Sequence, residues 1–180
     1  MNPILESQRL LFRELLPSDA EAMFELDSNP AVHRYLGNNP VTSIDFIHEV
    51  IANVRGQYER NGIGRMAAIL KSTGEFIGWA GLKLEHDVNG HDSFYDVGYR
   101  FIERFWGNGY ATEAAQFFVD YGFTVLNLPK INASAMAGNI GSRRALEKAG
   151  LKYIESYEYH GGEEVFWYEI LNPNIYAEKS

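Results

Sequence analysis

The segment from residue 104 to residue 114, RFWGNGYATEA, contains the clearest chemical signal in this chain. It lies between a predicted strand and a predicted helix. Its glycines, Gly107 and Gly109, can adopt positive φ and let a bound group approach the backbone. The first amide N–H groups of a helix have no partner within it and, together with the helix dipole, attract anions. With Arg104 adding positive charge, the segment predicts a site for a pyrophosphate.

Two common nucleotide-binding motifs are absent from this turn. The dinucleotide fingerprint G-x-G-x-x-G needs a third glycine at the position where this chain has Thr112. The mononucleotide loop ends in a Gly-Lys pair, which does not occur in the sequence. A nucleotide-dependent oxidoreductase is therefore disfavoured.

The pattern that remains, R-x-x-G-x-G-Y-A-T-E-A after a strand containing Asp96-Val97-Gly98-Tyr99, resembles the coenzyme A pyrophosphate loop of the GNAT family of N-acetyltransferases. The flanking residues are similar to the RimJ/RimL branch, which acetylates ribosomal-protein N-termini. The resemblance implies acetyl-CoA as co-substrate. We expect Trp106 to pack beneath the turn. The cofactor contacts implied in and before the turn are Phe101, Ile102, Arg104, Trp106, Gly107, Asn108, Gly109, Tyr110, Ala111 and Thr112.

A second segment, Asn139 to Gly150, resembles the other cofactor-contacting motif of the family, N-x-x-S-x-x-x-L-E-K-x-G. The resemblance implies that Asn139 hydrogen-bonds the pantetheine arm and that Ser142 lies near the sulfur. Asparagine is also a good N-cap, so Asn139 could serve only to begin a short helix. The sequence leaves both interpretations open.

One position in this segment departs from the wider superfamily. Many members have a tyrosine seven residues after the asparagine, where it protonates the departing thiolate, but this chain has Leu146. In the RimJ/RimL type the serine is the suggested substitute, which gives Ser142 that role. A hydroxyl can donate one hydrogen bond, and a thiol with a pKa near 8.5 needs only modest help to leave. Leu146 also leaves open a non-catalytic acyl-CoA-binding module.

The family reaction is a direct attack of a neutral amine on a thioester, so a base must accept a proton. Asp96 lies where this branch often has an acidic residue, and strand alternation places Gly98 beside it, leaving room for a small ligand. The alternative is an ordinary cross-strand pair. An α-amine needs roughly 1 kcal/mol to become neutral at pH 7, and a lysine roughly 4.6 kcal/mol. A protein N-terminus or a small amine is the predicted acceptor, with a preference for an α-amine.

Two His-Asp pairs, His86-Asp87 and His91-Asp92, contain enough ligands for a metal. They flank Asn89-Gly90, a turn signal, and this favours a solvated loop over a metal site. We therefore predict no metal.

The composition is that of an ordinary globular protein, with 180 residues, 46% apolar and 22% charged. We expect one domain over residues 1–180 with its core at about 9–171. The lack of cysteine excludes disulfides, thiolate zinc sites and a cysteine nucleophile. The net charge of −8 argues against nucleic acid and is compatible with a cationic amine. The sequence contains neither a signal-peptide pattern nor a long apolar run, which predicts a cytoplasmic protein without membrane contact. Its oligomeric state is left open between a monomer and a homodimer.

Apolar periodicity and turn residues predict the order β-α-α-β-β-β-α-β-α-β-β, an α/β (α+β) fold with a mixed sheet flanked by helices. Crossover helices require parallel strands, whereas hairpins are antiparallel. The GNAT fold has this same order. A capping box at Ser18-x-x-Glu21 begins the first helix, and 85–92 is a polar loop. The predicted strands are 9–13, 65–71, 75–84, 94–102, 130–137, 151–159 and 164–171, and the predicted helices are 18–27, 43–60, 110–125 and 140–149.

Overall fold

A computed structural model of the chain describes residues 3–176, which form one eight-stranded sheet with helices on both faces. The strands are β1 (Leu5–Glu6), β2 (Leu10–Arg13), β3 (Met66–Leu70), β4 (Glu75–Val88), β5 (His91–Phe101), β6 (Lys130–Met136), β7 (Lys152–Tyr159) and β8 (Glu163–Leu171). The helices are α1 (Ala20–Ser28), α2 (Pro30–His33), α3 (Ile44–Asn61), α4 (Tyr110–Thr124), α5 (Ile140–Lys148) and α6 (Pro173–Tyr176). Across residues 3–176, no helix is both long and apolar enough for a membrane span.

The sheet is mixed, as predicted, in the strand order β1-β2-β3-β4-β5-β6-β8-β7. Only β5 and β6 are parallel neighbours, and α4 makes the crossover between them. The other neighbouring strands are antiparallel. A single parallel pair in the middle of the sheet brings the carboxyl ends of β5 and β6 to the same edge.

Two buried clusters cover opposite faces of the sheet. The larger cluster lies under α4 and α5, and the smaller lies under α1 and α3. Strand alternation divides β3 between them, since Ala67 belongs to the smaller cluster and Met66 and Ala68 to the larger. The core therefore holds the centre of the sheet rigidly from both sides.

The predicted polar loop at 85–92 is a continuation of the β4–β5 hairpin. Strand pairing extends to Val88 opposite His91, and only Asn89 and Gly90 form the turn. Both turn residues have positive φ, 49° and 73°. Such a turn matches the twist of the flanking strands, so pairing continues through polar residues.

The predicted capping box of the first helix is wrong. The chain turns through a 3₁₀ segment, Pro17–Asp19, before α1 begins, and no side chain caps α1. Asp19 instead accepts the amide of Leu16 at 2.8 Å and pairs with both terminal nitrogens of Arg13, also at 2.8 Å. The half-buried guanidinium of Arg13 holds this buried carboxylate, so Ser18 and Glu21 are not needed to begin the helix.

The other helix ends follow their sequence signals closely. Ser43 caps α3 by accepting the amide of Asp45, and Gly62 ends α3 with φ of +69°. The short elements β1, α2 and α6 were not predicted, because segments of two to four residues contain too little periodicity to detect. The loop between β7 and β8 has three residues, 160–162.

Candidate active site

A cleft opens between β5 and β6. The two strands pair at one position, Asp96 opposite Asn132. Beyond that position β5 stays paired with β4 as far as Phe101, and β6 stays paired with β8 as far as Met136. The facing edges of β5 and β6 therefore diverge and leave backbone N–H and C=O groups free to bind a ligand. The chain leaves this end of β5 towards α4 and this end of β6 towards α5.

The glycine turn before α4 has the geometry expected of an anion site. Gly107 and Gly109 have φ of +76° and +81°. The first helical hydrogen bond runs from the amide of Glu113 to the carbonyl of Gly109. Among residues 3–176, no acceptor binds the amide N–H groups of 107–112. A row of unpaired donors at a helix N-terminus fits a pyrophosphate.

Asn108 holds this turn in shape through its side chain and its carbonyl. Its Nδ2 donates to the carbonyl of Phe105 at 3.0 Å and to that of Trp106 at 3.1 Å. Its carbonyl accepts Nη1 of Arg9 at 2.8 Å. The side chain of Asn108 is thus committed to the turn, and any cofactor contact would come from its backbone.

In the first turn of α4 the side chains are packed against neighbouring residues, while the backbone amides are available to a ligand. The ring of Tyr110 lies 6.3 Å from that of Phe101, and the guanidinium of Arg9 lies 4.6 Å from the ring centre of Tyr110. Ala111 also packs against the larger cluster, and Thr112 is half-buried. These three residues would contribute their amides to a cofactor.

Arg104 does not hold its charge over the turn. Its guanidinium forms ion pairs with Glu25 of α1 and with Glu75 of β4, the latter at 2.6 Å. Each of its terminal nitrogens therefore faces a carboxylate. The cation that contacts the turn is Arg9, which the sequence patterns did not indicate.

The residues between β5 and the turn are partly buried. Phe101 and Ile102 are buried in the two core clusters, so only their backbones could contact a cofactor. Trp106 donates its indole N–H to the carbonyl of Phe101 at 2.8 Å. The side chain of Trp106 is 48% exposed, so the expectation that it packs beneath the turn is wrong.

Asn139 caps α5. Its Oδ1 accepts the amide of Ser142 at 3.1 Å. No acceptor within the described residues binds its Nδ2, so that amide can still donate to a pantetheine arm. Capping is therefore confirmed, and the cofactor contact remains a prediction. Leu146, about two turns further along α5, is buried in the core.

Ser142 lies against Tyr99 of β5. The hydroxyl of Tyr99 donates to the carbonyl of Ser142 at 2.9 Å and lies 3.1 Å from its Oγ. Burial raises the pKa of Tyr99, and the hydrogen bond with Ser142 opposes that shift. The phenol is therefore protonated at neutral pH.

Asp96 is half-buried and ion-paired. Its Oδ2 contacts Nη2 of Arg65, and Nη1 of Arg65 donates to the carbonyl of Asp96 at 2.8 Å. Burial raises the pKa of Asp96, and the nearby Arg65 opposes the shift. The residue directly opposite Asp96 on β4 is Lys83, and it pairs with Glu85 instead. The other carboxylate oxygen, Oδ1, has no partner within residues 3–176.

The space beside Gly98 is not free. A Cβ atom at Gly98 would lie 2.6 Å from Nη2 of Arg65. The guanidinium therefore fills the room that the sequence suggested for a small ligand. Glycine is needed here because Arg65, which precedes β3, reaches across β4 to pair with Asp96 on β5.

Two segments flank the cleft on the side of Asp96. In residues 29–41, the ring of Tyr35 comes within 3.3 Å of where a Cβ of Gly138 would lie, just before Asn139. The tip of the β4–β5 hairpin reaches β7 and β8, where His91 stacks on Trp167 at 4.8 Å. No group of three or more potential metal ligands occurs in residues 3–176.

Three residues of this site escaped prediction: Arg9, Arg65 and Tyr99. Each acts through a partner distant in sequence, such as Asp96 for Arg65 and Ser142 for Tyr99. Tyr99 was visible in the V-G-Y pattern but carried no role. Local spacing cannot show which distant side chains meet.

Comparisons with known proteins agree with this geometry. The family model of the acetyltransferase (GNAT) domain matches residues 9–152. The uncharacterised N-acetyltransferase YoaA of Bacillus subtilis is 34% identical, with 96% of this chain and 99% of that protein covered. The uncharacterised N-acetyltransferase p20 of Bacillus licheniformis is 30% identical, with 93% and 95% covered.

Solved structures share the fold. A GNAT-family acetyltransferase from Bacillus anthracis has a TM-score of 0.79 at 25% identity and covers 94% of this chain and 99% of its own. A ribosomal L7/L12 α-N-protein acetyltransferase in complex with coenzyme A has a TM-score of 0.77 at 17% identity, with 94% and 98% covered. A spermidine N-acetyltransferase from Vibrio cholerae in complex with CoA and spermine has a TM-score of 0.73 at 21% identity, with 91% and 96% covered.

Proposed function

This chain belongs to the GNAT family of N-acetyltransferases, and we propose that it acetylates a primary amine, with an α-amine preferred as acceptor. The observation that carries the proposal is the cleft between β5 and β6, which has the glycine turn of residues 107–109 at one end and the half-buried carboxylate of Asp96. The acceptor belongs either to a protein N-terminus or to a small molecule.

Acetyltransferases of this fold use acetyl-CoA, which supplies the thioester whose acetyl group is transferred. The residues of this chain that would hold it are the amide donors of 107–112, on the pyrophosphate, and Nδ2 of Asn139, on the pantetheine arm. The positive φ values of Gly107 and Gly109 support this assignment, because they aim successive amides at one anion.

In the proposed reaction the acceptor nitrogen forms a bond to the acetyl carbon, and the C–S bond breaks. Asp96 accepts the proton of the amine, directly or through a water, on Oδ1, the oxygen that Arg65 does not occupy. Ser142 donates a hydrogen bond to the sulfur as it leaves. The raised pKa of Asp96 suits a group that must take up a proton.

The choice of an α-amine follows from the strength of this base. A carboxylate bound to Arg65 is better matched to an amine that needs roughly 1 kcal/mol to lose its proton at pH 7 than to a lysine, which needs roughly 4.6 kcal/mol. The similar structures include both a ribosomal-protein and a spermidine acetyltransferase, at identities that support the fold alone.

A matched panel of acceptors tests the proposal. We expect acetyl-CoA turnover with a lysine-free peptide that has a free α-amine, and slower turnover with the same peptide blocked at its N-terminus and given one lysine. Small α-amines and spermidine complete the panel. Faster turnover of the blocked peptide or of spermidine would overturn the preference for an α-amine. Binding of acetyl-CoA without turnover of any amine would contradict the proposed reaction.

A further inference from the structure

The hydroxyl of Tyr99 links the two walls of the cleft. Tyr99 lies on β5 beyond Asp96, in the part of the strand that has separated from β6. Its hydroxyl nevertheless reaches the first turn of α5, at 2.9 Å from the carbonyl of Ser142 and 3.1 Å from its Oγ. A side chain thus spans the gap that the backbone leaves open.

Tyr99 reaches Ser142 from the face of the sheet that carries α4 and α5. Tyr95 and Tyr99 pack against the larger core cluster on that face, and strand alternation puts Asp96 on the other face. The two faces of β5 therefore present different chemistry to the cleft. The carboxylate lies on one side, and a pair of hydroxyl groups lies on the other.

The superfamily phenol is absent from α5, where Leu146 is buried in the core. Ser142 lies one helical turn before Leu146. The hydroxyl of Tyr99 therefore contacts α5 one turn closer to the N-terminus of the helix than the position of the superfamily tyrosine. A serine hydroxyl has a single proton and rotates freely unless a neighbour fixes it. The phenol of Tyr99 is the hydrogen-bonding neighbour of that hydroxyl, with 3.1 Å between the two oxygens.

We propose that Tyr99 is a positioning residue that orients the Ser142 hydroxyl towards the leaving sulfur, supplying from β5 the phenol that α5 lacks. This proposal rests on the proposed function. As the C–S bond breaks, its electron pair stays on sulfur and Ser142 Oγ–H donates to it. The O–H of Tyr99 turns from the carbonyl of Ser142 to its Oγ. Tyr99 keeps its proton throughout, in agreement with its raised pKa.

The test compares Tyr99→Phe with Tyr95→Phe under single-turnover conditions. Both changes remove one hydroxyl from the same face of β5, but no described residue hydrogen-bonds the hydroxyl of Tyr95. We expect Tyr99→Phe to slow acetyl transfer about tenfold, with KM for acetyl-CoA and Tm close to those of Tyr95→Phe. Equal transfer rates in the two variants would overturn the proposal. A purely structural role would instead lower Tm and cofactor affinity together.

A double-mutant cycle shows whether Tyr99 acts through Ser142. In a Ser142→Ala background, Tyr99→Phe should cause no further loss, whereas in Ser142→Thr, which keeps the hydroxyl, the loss should return. Additive losses would overturn the proposal, because Tyr99 would then act independently of the serine. Absence of turnover in the unmodified protein would refute the proposed function itself. Normal turnover that does not change in Tyr99→Phe would refute only the role of Tyr99.

Discussion

At the scale of single residues, Gly109 is required for its backbone conformation. A Cβ atom at Gly109 would meet only Nη2 of Arg9, at an ordinary 3.5 Å, but φ is +81°. A β-branched residue is strained at that φ, so the turn would relax and its amides would no longer converge. We expect Gly109→Val to weaken acetyl-CoA binding at least tenfold, as measured by calorimetry.

A matched control for this change is Gly74→Val. Gly74 has φ of +72° in the β3–β4 turn, with no atom within 4 Å of an added Cβ. The variant therefore introduces similar strain far from the proposed cofactor. It should keep wild-type affinity, and unchanged affinity in a folded Gly109→Val protein would refute the assignment of the turn.

A second prediction at the scale of single residues concerns Asp96 as the proposed base. Asp96→Asn should lower turnover by about 10²–10⁴-fold at pH 7 and keep cofactor affinity. The pKa of Asp96 is raised by burial, and the base must be deprotonated, so wild-type turnover should rise as pH passes that raised pKa. Turnover of Asp96→Asn should not show this rise with pH. The difference in turnover between the variant and wild type should shrink at high pH, because the amine then loses its proton unaided.

Two measurements separate this base from a structural ion pair. Removing Asp96 leaves Arg65 without its charge partner, at a cost of about 3 kcal/mol, so turnover is compared only for folded protein. Glu85→Gln, which breaks the nearby pair with Lys83, should keep full turnover. A loss below threefold in Asp96→Asn would assign the base to another group.

At the scale of elements, Arg9 ties the β1–β2 turn to the N-terminus of α4. Its Nε pairs with Glu113 at 2.6 Å, and its Nη1 donates to the carbonyl of Asn108 at 2.8 Å. The C=O of Asn108 and the N–H of Gly109 belong to one peptide plane and point in opposite directions. By holding the carbonyl, Arg9 directs the amide of Gly109 away from itself, towards the proposed pyrophosphate site.

This tie predicts different effects for two arginines. Arg9→Met should weaken acetyl-CoA binding about tenfold, because the turn loses both its charge and its anchor. Arg104→Met should change affinity by less than threefold, because the terminal nitrogens of Arg104 face the carboxylates of Glu25 and Glu75 and not the turn. Both ion pairs are exposed, so their loss should also change the stability of the fold little. Calorimetry on both variants checks the prediction. The reverse ranking would show that Arg104 turns towards the cofactor on binding.

At the scale of the whole molecule, Tyr58 connects α3 to the site. Its hydroxyl accepts the amide of Leu15 at 3.1 Å and donates to the carbonyl of Arg65, the residue that pairs with Asp96. A chain of contacts thus runs from α3 through β3 to β5. Tyr58 and Arg65 therefore connect the core under α3 to Asp96, the proposed base.

Tyr58→Phe should lower the free energy of unfolding by about 2 kcal/mol, because the buried amide of Leu15 loses its acceptor. Burial raises the pKa of Tyr58 from 10.0 to about 12. The fold favours the protonated phenol, so the stability linked to that proton is complete below pH 10 and is lost as pH rises through 12. Denaturant unfolding of wild type should weaken over this range. An equally steep decline in Tyr58→Phe would contradict this role.

The sequence by itself determined the features that depend on neighbouring residues. The order of the longer elements, the mixed sheet, the positive φ of Gly107 and Gly109, and the capping of α5 by Asn139 all follow from local signals. Periodicity, glycine conformation and capping act over a few residues, so the chain shows them directly. The resemblance to the GNAT family rested on the same local motifs, and the match to its domain model confirms it.

Only the tertiary structure decided which charged and hydroxyl groups meet. Arg65 forms an ion pair with Asp96 and fills the space over Gly98. Arg9, and not Arg104, contacts the glycine turn. Tyr99 reaches across the cleft to Ser142. Long side chains choose partners by where strand order and register place them, over separations of 31 to 99 residues. Sequence spacing holds no information on such meetings, because they arise from the packing of whole elements.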